Sequence, residues 1–189
     1  MSRPIEPQKK RELLERCLTA TIEVGTLDSS INALAKRIGT SGRMLVYHFG
    51  SKQELESQLI SLLEQRLREQ LWSACQKASS VGGETLTAAL LEMWQRLVSP
   101  KMNGLVRLSM ALSQQAMKGD TEAQAFLERE SQQWIAFLVE LTDDDESAIA
   151  LLHLFQGAIL DFLTTGNAAR GQQTIKKFSH TLQPQILAK

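Results

Sequence analysis

Apolar residues recur along most of this chain at the three-and-four spacing of a helix face, and seldom alternate as they would along a strand. Leu14, Cys17, Leu18 and Thr21 share one face of a helix predicted from Pro7, a favourable first-turn residue, to about Val24, with Gly25 as its stop. Ile31, Leu34, Ala35 and Ile38 line a second, short helix that Ser29 or Ser30 caps and Gly39 ends. A third short helix is predicted from its cap at Ser41 through Tyr47. Ser51-Lys52-Gln53-Glu54 then reads as a capping box opening a long helix that carries Leu55, Leu59, Leu62 and Leu63. Beyond a break at Val81-Gly82-Gly83, helices are predicted over 84–98, 102–118, 121–141, 144–165 and 172–182. Pro100, Gly119-Asp120, the acidic run Asp143-Asp144-Asp145-Glu146 and Gly166-Asn167 punctuate them. An all-α fold is expected.

Composition agrees. A 43% apolar and 22% charged chain is that of a soluble globular protein, and the sparse, scattered β-branched residues favour helix. At 189 residues it has room for one large or two small domains. Cys17 and Cys75 belong to no CxxC pair or nucleophile motif, so they read as reduced core thiols, and neither a metal site nor a cofactor is expected. The opening MSRPIEPQKKRELLERC lacks the apolar core of a signal peptide, and the most apolar stretch, 147–163, is interrupted by His153, Gln156 and Asp161. A cytoplasmic protein with a buried helix, rather than a bilayer span, is the expectation there.

The formal net charge of zero conceals an asymmetry. Residues 1–52 hold nine Lys/Arg against five Asp/Glu, and residues 53–189 twelve against sixteen, so the halves carry 9 − 5 = +4 and 12 − 16 = −4. The N-terminal part suits a polyanion, the rest another task. Two short helices joined by a tight glycine turn have the layout of a helix-turn-helix, whose second helix enters the major groove of double-stranded DNA. Ser41 and Gly42 would let the leading end approach the backbone, and Arg43 can make a bidentate contact to a guanine edge or clamp a phosphate. Tyr47, His48 and Lys52 would meet phosphates on the flanks, Ser30, Thr40 and Met44 complete the candidate interface, and Leu45 and Phe49 pack inward. Lys9, Lys10, Arg11 and Arg16 are further phosphate candidates or a solvated helix face. His48 has no acid or nucleophile near it in sequence, and no catalytic residue is expected anywhere in the chain.

The stretch GTLDSSINALAKRIGTSGRMLVYHFGSKQEL resembles the DNA-binding domain of TetR-family transcriptional regulators. Gly25, Ser30, Leu34-Ala35, Gly39, Ser41, His48-Phe49, Ser51-Lys52 and Leu55 carry the resemblance, over residues 8–58. Family members often place a tyrosine two residues before the histidine and Lys-Gly after the turn; this chain has Val46, with Tyr47 next to His48, and Gly42-Arg43. The resemblance implies a helix-turn-helix domain, taken as residues 1–52, and a helical ligand-binding and dimerisation domain, taken as 53–189. It also implies a homodimer that sets two recognition helices on a palindromic operator.

In the C-terminal part Met93, Trp94, Met102, Met110, Met117, Trp134, Phe137 and Phe155 can line either an adaptable apolar pocket or an ordinary core. Arg107, His153 and Asp161 on apolar helices favour a pocket, because buried polar groups need partners. Arg107 in particular suits an anionic or carbonyl-bearing effector, or else pairs with an acid such as Asp161. The 144–165 helix is apolar nearly all round and is expected to be covered on two sides, with Gly157-Ala158 permitting close helix approach. The chain thus reads as a ligand-responsive DNA-binding regulator, a repressor in sign, rather than an enzyme. A helical adaptor that keeps the module for protein contacts is the alternative.

Overall fold

Helix boundaries fall where the local chemistry sets them. The computed structural model describes residues 7–24, 30–79 and 85–181, all-α, with nine helices among them; Gly25, Ser29 and the Val81-Gly82-Gly83 break lie outside the described residues. Helix α1 spans Pro7–Val24. Helix α2 (Ile31–Arg37) is capped by Ser30, whose Oγ accepts from the Ala33 N–H at 3.2 Å. Ser41 does the same for α3 (Gly42–Phe49), accepting from Met44 N–H at 3.2 Å, and α3 runs two residues past the expected Tyr47 before Gly50 ends it at φ +82°. Ser51 Oγ accepts from the Glu54 N–H at 3.0 Å, as the capping box requires, at the start of α4 (Lys52–Ser79).

Helices α5 (Thr85–Leu97), α6 (Asn103–Met117), α7 (Thr121–Thr142) and α8 (Asp145–Thr165) follow the expected spans closely. Asp120 caps α7 and Asp144 caps α8, where bonding to Ser147 holds the Asp144 carboxyl below the usual carboxylate range. The last helix, α9 (Ala168–Ser179), starts four residues earlier than expected, because the Asn167 side chain accepts from the Ala169 and Arg170 N–H groups and sets the N-terminus there.

The chain folds into two compact units, Met1–Leu63 with Pro100–Ser109, and Glu64–Ser99 with Met110–Lys189; α4 and α6 each contribute to both. In the first unit α1, α2 and α3 pack on one another around Leu13, Cys17, Leu18, Leu34, Leu45 and Phe49. Leu13 rather than Leu14 is the buried member of the α1 face, Leu14 being half-buried. In the second unit α7 packs along α8, and α9 packs on α5 and α8. Trp94 of α5, 1% exposed, joins these elements: its indole N–H donates to the Ala168 carbonyl at 3.1 Å, and its ring meets Phe155 and Phe162 edge-on. Gly171 of α9 lies so close that a Cβ there would collide with the indole. Both cysteines are buried and free, and burial pushes each thiol up to about 11, which suits inert core thiols.

Helix α8 departs from expectation. Its buried residues, Ala148, Leu151, Leu152 and Phe155, form one face of its first half. Ile149, His153, Gln156 and Leu160 form an exposed stripe, with Ile149 39% and Leu160 53% exposed. A Cβ on Gly157 would meet nothing within 4 Å. Within one chain the helix is therefore covered on one side. By length and composition it is the one helix among the described residues apolar enough to cross a membrane.

Candidate functional site

Helix α3 divides its side chains by the helical period. Leu45, His48 and Phe49 turn into the core, while Arg43, Val46 and Tyr47 lie outside, with Val46 45% and Tyr47 37% exposed. At the leading end, Ser30 and Ser41 are exposed and Thr40 and Met44 half-buried, so hydroxyls and an arginine surround the first turn of α3. Gly42 lies against Asn32 of α2: a Cβ there would meet the end of the exposed Asn32 side chain, which would have to turn aside, while the Asn32 backbone stays at ordinary contact distance. Lys52 is exposed at the start of α4, 3.3 Å from Glu56 one turn on.

His48 is not on the outer face. It is 4% exposed, packed edge-to-face on Tyr47 with ring centroids 5.1 Å apart, and neither ring nitrogen has a hydrogen-bond partner. This placement makes it a core aromatic rather than a phosphate contact. The periodicity of α3 explains why: His48 follows Leu45 by three, on the inner side. Val46 escaped the sequence reading, yet the same period puts it three residues after Arg43 on the outer face. Arg16 has a structural role too, donating to the Ile38 carbonyl at the end of α2, and the Lys10 ammonium sits 5.5 Å from the centre of the Phe49 ring.

The eight candidate ligand residues are divided between the two units. Met102 and Arg107 belong to the first unit, the other six to the second. Met102 is buried core, and Arg107 is exposed, its Nε donating to Asn103 Oδ1 at 2.9 Å within its own helix. Asp161 pairs instead with Arg170, accepting from Nε at 2.9 Å and Nη2 at 2.6 Å, and that guanidinium holds its carboxyl low. His153 is exposed, Met110 half-buried and Trp94 a core residue. Met93 borders a small cavity of about 30 Å³ between α4 and α5, lined also by Leu67, Ala74 and Glu92, with room for little more than a water.

Trp134 leads elsewhere, to a polar cluster between α4 and α7 that the sequence reading missed. Its indole N–H donates to Glu64 Oε2 at 2.6 Å, and the Arg68 guanidinium lies over its ring, 5.3 Å from the centre. Arg68 also donates to Gln133 Oε1 at 2.7 Å and lies 3.8 Å from Glu130, itself 6% exposed. Burial, above all, raises the Glu64 carboxyl to about 7; Glu130 pushes the same way, while the Trp134 bond and Arg68 oppose. A sequence signal existed. Glu64 and Arg68 are four apart, each directly after a core leucine, Leu63 or Leu67, on the edge of an apolar stripe. Among the described residues, no group of three His, Cys, Asp or Glu side chains could hold a metal ion.

No protein-family model matches the chain. A 68-residue stretch is 32% identical to the HTH-type transcriptional regulator BetI 1 of Chromohalobacter salexigens, a match covering 36% of this chain and 30% of that relative. The chain thus spans under a third of the length of the curated relative it matches. Solved structures are similar over nearly the whole length. A TetR transcriptional regulator from Legionella pneumophila has a TM-score of 0.63 at 17% identity, covering 96% of this chain and 100% of that one. The multidrug binding protein EbrR, in complex with imidazole, has a TM-score of 0.63 at 14% identity, covering 92% and 96%. A TetR-family member from Streptomyces coelicolor A3 has 0.61 at 16%, covering 91% and 98%. At these identities the likeness shows a shared fold.

Proposed function

We propose that this chain is a TetR-family transcriptional regulator that binds a palindromic operator as a homodimer and is released from it, or redirected on it, by a small-molecule effector. The observation that carries the reading is the outer face of α3, where Arg43, Val46 and Tyr47 stand exposed behind a serine-capped N-terminus. That end of a helix attracts phosphate through its free N–H groups, and the face behind it suits the major groove: an arginine for guanine, an apolar Val46 for a thymine methyl, a tyrosine for the backbone. Residues 1–52 form the reading domain and 53–189 the regulatory domain. The exposed stripe of α8 supports a seam between two copies, since Ile149 and Leu160 lie open on an otherwise apolar helix. An effector is supported by EbrR, a multidrug binding protein of the same fold. Repression is the simplest sign of control, because a dimer on an operator blocks access without contacting other proteins.

Selection of bound fragments from the source genome, followed by titration of the selected duplex at increasing salt, tests the reading. Affinity should fall with a slope of roughly −0.9 per phosphate neutralised, and Arg43→Ala should lose about 1–3 kcal/mol on the selected site while relaxing preference at one position per half-site. An equal loss on all sequences would make Arg43 a phosphate clamp. A flat salt response, or no fragments selected, would leave the adaptor reading in its place.

A further inference from the structure

The polar cluster of the second unit already holds an organic cation of its own. Arg68 reaches from α4 to lay a planar guanidinium over the Trp134 indole, and its side chain keeps 13% of its surface exposed, so one end of the cluster opens to solvent. Glu130 is buried and Glu64, Trp134 and Phe137 are half-buried, with Trp134 meeting Phe137 edge-to-face at a ring-centroid distance of 5.8 Å. The charges acting on Glu64 are those of Glu130, which repels it, and Arg68, which stabilises it, so two acidic side chains flank one guanidinium. Arg68 is the movable member. A long side chain with a solvent-facing part can swing outward, whereas Glu130 is buried and the Trp134 indole is tied to Glu64 by its N–H bond.

Resting on the effector-responsive reading above, we propose that the effector is a planar organic cation that displaces the Arg68 guanidinium, stacks on Trp134 and takes its place between Glu64 and Glu130. Displacement by a neutral molecule would leave the buried Glu130 and the neighbouring Glu64 without a counter-charge, so the cluster selects for positive charge before it selects for shape. Planarity follows from the indole face, which attracts a flat cation through its quadrupole. Arg107, exposed and bonded within its own helix, gives no support to the anionic effector that the sequence suggests.

The full chain is titrated with phenylguanidinium, and in parallel with phenylurea, which has nearly the same shape without the charge. Binding is read by calorimetry and by quenching of tryptophan fluorescence. Saturable binding of one phenylguanidinium per chain is expected, at least tenfold tighter than phenylurea, and weakened tenfold or more in Glu130→Gln. Arg68→Ala, which removes the resident cation, should bind the probe tighter than the natural chain and melt at a higher temperature in its presence. No saturable binding, equal binding of phenylurea, or unchanged affinity in both variants overturns the proposal. Operator binding without probe is measured on the same preparations. Its absence defeats the DNA-binding reading and leaves the cation site to be judged by titration alone, while intact operator binding without cation binding defeats only this inference.

Discussion

Glu64 carries its charge at a cost that depends on pH. Its carboxyl is raised from an ordinary 4.5 to about 7, chiefly by burial, so the folded chain keeps a proton that the unfolded chain gives up. The unfolded state then binds fewer protons across that window, and stability falls as pH rises from about 4.5 through about 7, with the penalty complete above it. Glu64→Gln keeps an acceptor for the Trp134 indole and removes the charge. It should melt above the natural chain at about pH 8, with the difference gone by about pH 4, in thermal scans followed by circular dichroism. A difference independent of pH would mean that Glu64 does not titrate in this range. His48 carries the opposite lesson. Its place at the end of the recognition helix suggested a contact with DNA, but its position on the inner side of α3, 4% exposed, makes it part of the core.

At the scale of elements, the reading helix depends on its cap. Eight residues give α3 little helix stability of its own, and Ser41 satisfies one of its first N–H groups. Ser41→Ala should cost about 1 kcal/mol and lower both the melting temperature and operator affinity. Ser41→Asp separates the two effects, because aspartate caps a helix as well as serine but places a negative charge where a DNA phosphate would sit. The aspartate variant should melt like the natural chain and yet fail to shift the operator in a gel. Full binding by it would show that the end of α3 does not face the backbone.

For the whole molecule, the proposed dimer makes the open face of α8 the surface to test. Leu160 is 53% exposed and Gly157 meets no neighbour, so neither contributes much to the fold of one chain. Leu160→Glu should therefore leave the melting temperature of a monomer nearly unchanged while lowering the dimer fraction in sedimentation, since a charge would be buried at a paired seam. Operator affinity should fall with it, because two half-sites are held by one dimer. A variant that remains a dimer with full affinity would put the seam on another surface.

The sequence by itself determined the elements. Helix periods, capping serines and aspartates, and punctuating glycines and Pro100 are local features, set by hydrogen bonds within a few residues, and the helices appear within a few residues of where those features put them. The helix-turn-helix was legible for the same reason, its turn being built from consecutive residues. What tertiary structure decided were the partners of polar side chains, which depend on residues far apart in the chain. Asp161 met Arg170 rather than Arg107, Trp134 met Glu64 from 70 residues away, and Arg16 met the end of α2. It also decided that α8, apolar nearly all round, is covered on one face only. Periodicity records how much apolar surface a helix offers; which part is buried within one chain depends on the helices that fold against it.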